Sequence, residues 1–258
     1  MDFFSKIETK PDPDLTWNIP EQKQGRLNII GGNAQSFRTE IKIAEFATQN
    51  YPLENINIVF PDALKAKLPD LPNFIFLSST DSGSFADEKE LKNALNAVDF
   101  NLFLGDFSKN SITEKVVASA GENSEKPLLI TRDAVDLIAD QNPEKSLQNE
   151  NLIFFASLPQ LQKLFRAVYY PKMLLLSQSL VQVADALHKF TLSYPTKIIT
   201  LHNEQILIAE NGTIKAVPLA KASLHPITFW QGEVAAKIVA LNLYNPNNFQ
   251  NATISALF

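Results

Sequence analysis

The chain has 258 residues, 45% of them hydrophobic and 20% charged, which is enough apolar material for one large core. A net charge of −5 excludes a broad basic face for phosphate backbones, so nucleic acid is not an expected partner. The lack of cysteine excludes disulfides and thiolate metal sites and fits a reducing, cytoplasmic setting; no run approaches the ~18 apolar residues of a membrane span, and no membrane partner is expected.

Residues 1 to 25 carry Pro11, Pro13 and Pro20 among charged residues and read as an extended arm ahead of a single domain over 26 to 258. Short β-branched and aromatic runs follow: "RLNIIGG" (26 to 32), "INIVF" (56 to 60), "NFIFLSS" (73 to 79), "FNLFLGD" (100 to 106), "PLLIT" (127 to 131), "LIFFAS" (152 to 157) and "TKIITL" (196 to 201). None alternates strictly, so both faces of each strand are expected to be buried, as in a mostly parallel sheet covered by helices. Amphipathic stretches between them predict helices near 35 to 49, 86 to 98, 132 to 140, 159 to 168, 173 to 192 and 231 to 244. Ser111 stands three residues before Glu114, the capping-box spacing. Asn211-Gly212 between two alternating runs predicts an antiparallel hairpin. The expected architecture is α/β, a three-layer αβα sandwich with a mostly parallel central sheet and a late hairpin.

Candidate site residues gather at the ends of these runs. Gly31 and Gly32 close the first long strand, followed by Asn33; Gly105 closes "FNLFLG", and Asp133 opens the "RDAVDLI" helix start. In open α/β sheets the carboxyl edge of the strands is where ligands bind. Late in the chain, "HPITFWQGEVAAKIVALNLY" places Gln231, Gly232 and Glu233 at a helix start, where free N–H groups and the dipole favour an anion. Each residue also has a plainer role: the glycines as tight turns, Asp133 as a helix cap, and Glu233 as a first-turn acid behind a Thr228/Gln231 capping spacing. His188, His202 and His225 share no ligand spacing, so no metal site is expected. No Walker lysine loop and no nucleophile elbow occurs.

This order of elements resembles the ribokinase-like superfamily over roughly residues 20 to 245, and within it the ATP/ADP-dependent NAD(P)H-hydrate dehydratases, whose domain is also called a carbohydrate-kinase domain. The double glycine matches at Gly31 and Gly32, with "NAQSFRTE" in place of a Ser/Pro/Gly-rich loop. The Gly-Pro-Gly-Leu-Gly loop becomes "LGDFSKN", which keeps Gly105. The Asp-Ala-Asp-Ala-Leu motif becomes "TRDAV", which keeps Asp133. The Thr-Pro-His-x-Gly-Glu motif falls on "FASLPQ" with those four polar and glycine positions changed, and a Lys-Gly strand end becomes Leu201-His202. The Gly-Ser/Thr-Gly-Asp signature falls on "WQGE", residues 230 to 233.

The resemblance implies an anion hole at Gln231 and Gly232 and a base at Glu233. It places His202 and His225 on the nucleotide side, and Gly31, Gly32, Asn33, Gly105 and Asp133 toward substrate. An active protein would use ATP or ADP with magnesium to phosphorylate hydrated NAD(P)H. The loss of several glycine-rich loops at once, with Trp230 in place of a glycine, predicts a weakened or inactive relative and little thermal shift with ATP or ADP. The alternatives are a non-catalytic nucleotide-binding or scaffold protein on the same fold, free to form homo-oligomers, and a small-molecule kinase of the superfamily. An open, positively polarised pocket beside residues 231 to 233 would count against inactivity.

Overall fold

The computed structural model describes residues 3 to 8 and 19 to 258. The apolar runs form strands β2 (Arg26–Gly31), β3 (Asn55–Pro61), β4 (Phe74–Leu77), β5 (Phe100–Gly105), β6 (Leu128–Thr131), β7 (Leu152–Phe155) and β8 (Lys197–His202), all parallel, in the order β4-β3-β2-β5-β6-β7-β8. The Asn211-Gly212 turn joins β9 (Gln205–Glu210) to β10 (Thr213–Pro218), and β9 pairs antiparallel with β8. Both turn residues have positive φ, as a two-residue hairpin of this sequence requires. Within the N-terminal arm, Phe4–Lys6 forms β1, parallel to β10 at the sheet edge, and Phe3 stacks on His188 with ring centroids 4.0 Å apart. Residues 9 to 18 of the arm lie outside the described residues.

Successive side chains of the central strands feed two separate cores. In β6, Leu128 and Ile130 face one cluster and Leu129 the other; in β7, Leu152 and Phe154 oppose Ile153 and Phe155. Helices α2 (Glu88–Asn96), α3 (Ser111–Asn123), α4 (Asp133–Asp140), α6 (Leu158–Ala167) and α7 (Leu180–Ser193) bury their apolar faces in the first cluster, with the short α5 (Glu144–Leu147) adding Leu147. Helices α1 (Arg38–Asn50), α9 (Gly232–Tyr244) and α10 (Phe249–Leu257), with the short α8 (Pro226–Phe229), cover the other face. Burial on both faces explains why the strands read as continuous apolar runs. Across three strands, in register, Asn28, Asn57 and Asn101 form a polar row: Asn57 donates to Asn28 at 3.0 Å and Asn28 to Asn101 at 3.3 Å. A slip of one residue would strand these amides in the apolar layer, so the row fixes the β3-β2-β5 register.

Four local expectations change. The cap of α3 is Asn110 and not Ser111: its Oδ1 accepts from the N–H groups of Ile112 (3.1 Å) and Thr113 (2.9 Å). Asn110→Ala is expected to lower stability by about 1 kcal/mol, measurable by urea denaturation, while Ser111→Ala leaves it within experimental error. The helix expected from 173 starts at Leu180, where Ser179 and Gln182 form a reciprocal capping box. His225, bonded with Thr228, caps α8, and Gln231 at the start of α9 makes no side-chain cap. Helix α10, rich in Asn, Thr and Ser, was not expected; it is held by burial of Phe249, Ile254 and Leu257 against the second core. Among the described residues, no helix is long and apolar enough to cross a membrane.

Candidate functional site

The carboxyl ends of β2, β5 and β6 meet in a braced cluster of loops. Gly32, at φ +83°, donates its N–H to the Gly105 carbonyl at 3.0 Å. Gly31 sits so close to Gly105 and to Glu40 Oε1 that a Cβ there would meet both, the latter at 2.6 Å. Asn33 donates to the Asp106 carbonyl at 2.6 Å, and its Oδ1 accepts from the Gln35 and Ser36 N–H groups. Asp133 is the first residue of α4, yet its carboxylate braces the neighbouring loop: Oδ1 accepts from Asp106 N and Oδ2 from Phe107 N, each at 2.8 Å. Burial pushes the Asp133 carboxyl above its usual range, and these N–H donors oppose the shift. The two glycines, Asn33, Gly105 and Asp133 are thus brought together, with their polar groups turned on one another.

Two residues beside them stand in unusual backbone conformations. Asp106 has φ +60°, and Arg132 has φ +56° with ψ −135°, a region that side chains other than glycine avoid. They hold each other: Arg132 NH2 and NH1 donate to the two Asp106 oxygens at 2.9 and 3.3 Å, and Thr39 adds a bond to Asp106 at 3.2 Å. Behind them lies Glu40, fully buried, with neither carboxyl oxygen hydrogen-bonded among the described residues. Burial, reinforced by Asp106 and Asp133, raises its pKa to about 8, against its own backbone N–H and Arg132. The side chain is therefore neutral at pH 7.

A crevice of about 460 Å³ opens beside this cluster, between the first turns of α1 and α9. Arg38, Thr39 and Lys42 line it from α1, Arg132 from the end of β6, and residues 230 to 233 from the opposite side. Gly232 is buried against β5 and α1; a Cβ would lie 2.7 Å from Leu104 and 2.8 Å from Ile43, so the glycine lets the start of α9 settle onto the sheet. Trp230 packs its ring against Phe155 and Phe229, at centroid distances of 5.3 and 4.8 Å. It flanks the crevice without filling it. Gln231 makes no side-chain cap, and residues 231 to 233 at the start of α9 line a cavity that also holds three cationic side chains. Glu233 lines the same cavity and pairs with Lys42 at 3.2 Å.

Gln231, Gly232 and Glu233 thus share one crevice; Gly31, Gly32, Asn33, Gly105 and Asp133 do not line it and adjoin it only through Arg132 and Thr39, which hold Asp106. His202 and His225 do not line it. His202 is buried, its Nε2 2.7 Å from the Gln178 carbonyl, and His225 is spent on capping α8. Sequence reasoning missed Arg38, Lys42, Arg132 and Glu40. The available signals were the arginine in "TRDAV" and the four-residue spacing of Arg38 and Lys42, which puts both on one face of α1. Among the described residues no group of three or more acidic or histidine side chains could hold a metal.

No protein-family model matches the sequence, and no curated protein does. Solved structures do match the fold. A ribokinase-like superfamily protein from Enterococcus faecalis superposes with a TM-score of 0.63 at 14% identity, over 100% of this chain and 85% of its own. The chain has the ribokinase-like fold. Other structures on this fold include a hypothetical protein from Streptococcus mutans, with a TM-score of 0.61 at 15% identity over 96% of this chain and 83% of that one. The ADP/ATP-dependent NAD(P)H-hydrate dehydratase of Bacillus subtilis, co-crystallised with ATP and magnesium, superposes at 0.57 with 11% identity, over 93% of this chain and 81% of its own. Placed on the ribokinase-like fold, the crevice lies at the carboxyl edge of the parallel sheet, flanked by the helix that follows β2 and the helix that follows the hairpin.

Proposed function

We propose that this chain is a divergent relative of the NAD(P)H-hydrate dehydratases that keeps a crevice for a phosphate-bearing, nucleotide-like ligand and has lost most phosphoryl-transfer capacity. One observation carries the reading: an open cavity lined by residues 230 to 233 at the start of α9 and by Arg38, Lys42 and Arg132, of which Lys42 pairs with Glu233, Arg132 with Asp106, and Arg38 with no ion partner among the described residues. An arginine without an ion partner beside a helix start favours a bound oxyanion. The weakened chemistry follows from the carboxylates. Glu233 is engaged by Lys42, Asp133 spends both oxygens on backbone N–H groups, and Asp106 is held by Arg132 and Thr39. This donor set does not fit a protein-held magnesium ion, and no step through magnesium is assigned. The resemblance to "WQGE" would make Glu233 the base; its ion pair supports a binding role for the site over a catalytic one.

The test is calorimetric. ADP and ATP are expected to raise the melting temperature by several degrees, in place of the little shift expected from the lost glycine-rich loops and Trp230. Glu233→Gln is expected to leave that shift intact, with turnover of hydrated NADH absent in both forms. Turnover in the parent that disappears in Glu233→Gln would restore the enzyme reading, and no shift with either nucleotide would remove the binding reading.

A further inference from the structure

Away from the crevice, exposed apolar side chains gather in one place. Tyr169, Met173, Leu175, Leu176 and Val181 make up half of the exposed large apolar residues among the described ones, and all lie in the connection from α6 to α7 or the first turn of α7. Such residues scattered singly need no explanation, whereas a cluster marks a contact surface. The connection has a fixed shape. Leu174 is buried, with its N–H accepted by the Gln162 side chain. Gln178 closes the turn, accepting from Leu175 N at 2.9 Å and donating to the Met173 carbonyl at 3.1 Å. Leu175 and Leu176 are thus held outside on a pre-organised turn and lose little freedom on contact.

Tyr169 is an independent sign. Helix α6 ends in a Schellman motif, with Tyr170 N donating to the Phe165 carbonyl at 2.8 Å and Tyr169 N to the Arg166 carbonyl at 3.1 Å. The left-handed position of this motif is usually glycine, and here it is Tyr169, at φ +51°. Its neighbour Tyr170 packs on Phe165 and Phe190, while Tyr169 is 93% exposed. A disfavoured backbone that holds a large ring in solvent does nothing for the chain's own fold, and tyrosine is enriched at protein interfaces.

Two clefts border the connection, one of about 360 Å³ beside Met173 and Val181 and one of about 540 Å³ beside Leu175 and Leu176. Projecting apolar groups and receiving clefts therefore share one face, as a two-fold contact requires when each copy offers the same patch. The charges agree. Lys172 and Asp185 both line the first cleft and stand 4.0 Å apart, each partly exposed, so the patch carries both signs and a second copy can meet each charge with its opposite. An anionic bilayer would instead meet Asp185 within the patch and a chain of net charge −5. The five side chains expose on the order of several hundred Å², enough for the apolar core of an interface that buries roughly 800 Å² per partner.

We infer that two copies of the chain associate through this face, with Tyr169 and Leu176 as its anchors. The inference is independent of the crevice, which is built from α1, α9 and the end of β6.

Sedimentation equilibrium tests it on the full chain, in its natural form and as Tyr169→Gly and Leu176→Asp. The parent is expected to be a dimer with a Kd of about 1 µM or tighter. Tyr169→Gly should weaken the dimer about tenfold, as loss of an interface tyrosine does. It should also leave the diluted monomer at least as resistant to urea as the parent, because glycine relieves the left-handed conformation. Leu176→Asp should leave only monomer, and its exposed position keeps the fold intact. Weaker association without loss of monomer stability is not what residues serving their own chain would give. A parent that stays monomeric at roughly a hundred times that concentration, or a dimer that neither variant weakens, overturns the interface. Flotation of the parent, but not of Leu176→Asp, with vesicles of phosphatidylglycerol and phosphatidylcholine overturns it too and assigns the face to a lipid surface.

Discussion

Replacement of Glu40 by methionine is expected to stabilise the protein by on the order of 3 to 5 kcal/mol at pH 8 and by far less at pH 4.5. Glu40 is fully buried with no hydrogen-bond partner among the described residues, and its pKa rises from an ordinary 4.5 to about 8, chiefly through burial. Below pH 4.5 both the folded and unfolded chains carry the proton, and the carboxyl exacts no ionisation cost. Between pH 4.5 and 8 the unfolded chain releases a proton that the folded chain retains, so folding stability falls as pH rises. Above pH 8 both states are ionised, and the full cost of a buried charge is in place. Methionine fills a similar volume and does not titrate. Urea melts at pH 5 and pH 8 should show the parent losing stability over this interval and Glu40→Met losing less; parallel losses in the two proteins would show that Glu40 is not a buried neutral acid.

The second large effect is destabilising. Gly105→Ala is expected to lower the melting temperature by roughly 10 °C, from a loss of about 3 to 5 kcal/mol. Gly105 has φ +114°, and an added Cβ would run into Asp133 Oδ1 and lie 3.2 Å from the Arg132 Cβ. The backbone conformation alone costs about 1 to 3 kcal/mol in a residue with a side chain. Displacing Asp133 also sacrifices its charge-assisted bond to Asp106 N, worth about 1.5 to 3 kcal/mol. Placing Gly105→Ala in an Asp133→Ala background should therefore cost less than in the parent, since the two changes remove the same bond. Differential scanning calorimetry decides the matter, and a drop below about 2 °C would show that the loop yields without cost.

Much of the framework is legible in the residues themselves. Runs such as "FNLFLG" and "LLIT" announce strands buried on both sides, and Asn211-Gly212 fixes the hairpin to the residue, because these signals are local. The neighbouring cap candidates Asn110 and Ser111 differ by one position, and only the chain's entry angle decides that Asn110 is the one outside the helix. The site is less legible for a long-range reason. "FRTEIKIAEF" reads as a helix start with solvated charges; Glu40 is buried because Gly31 and Gly105 close over it, and Arg38 and Lys42 face a cavity because α9, nearly two hundred residues later, packs beside them. Whether Trp230 closes the crevice or flanks it was open in the sequence for the same reason. Its ring has Phe155 to lie against, and that partner sits at the end of a strand far away in the chain.

The pairing of β1 with β10 joins strands far apart in the sequence: Phe4, Ser5 and Lys6 meet Ile214, Lys215 and Ala216, more than two hundred positions away. While the parallel strands accumulate on the ribosome, Phe3 and Phe4 have neither His188 nor β10 to cover them, and the hairpin, once made, exposes its outer edge until β1 returns. By topology β1 can pair only after the hairpin has formed, and it then stands as the edge strand of the sheet in place of β10.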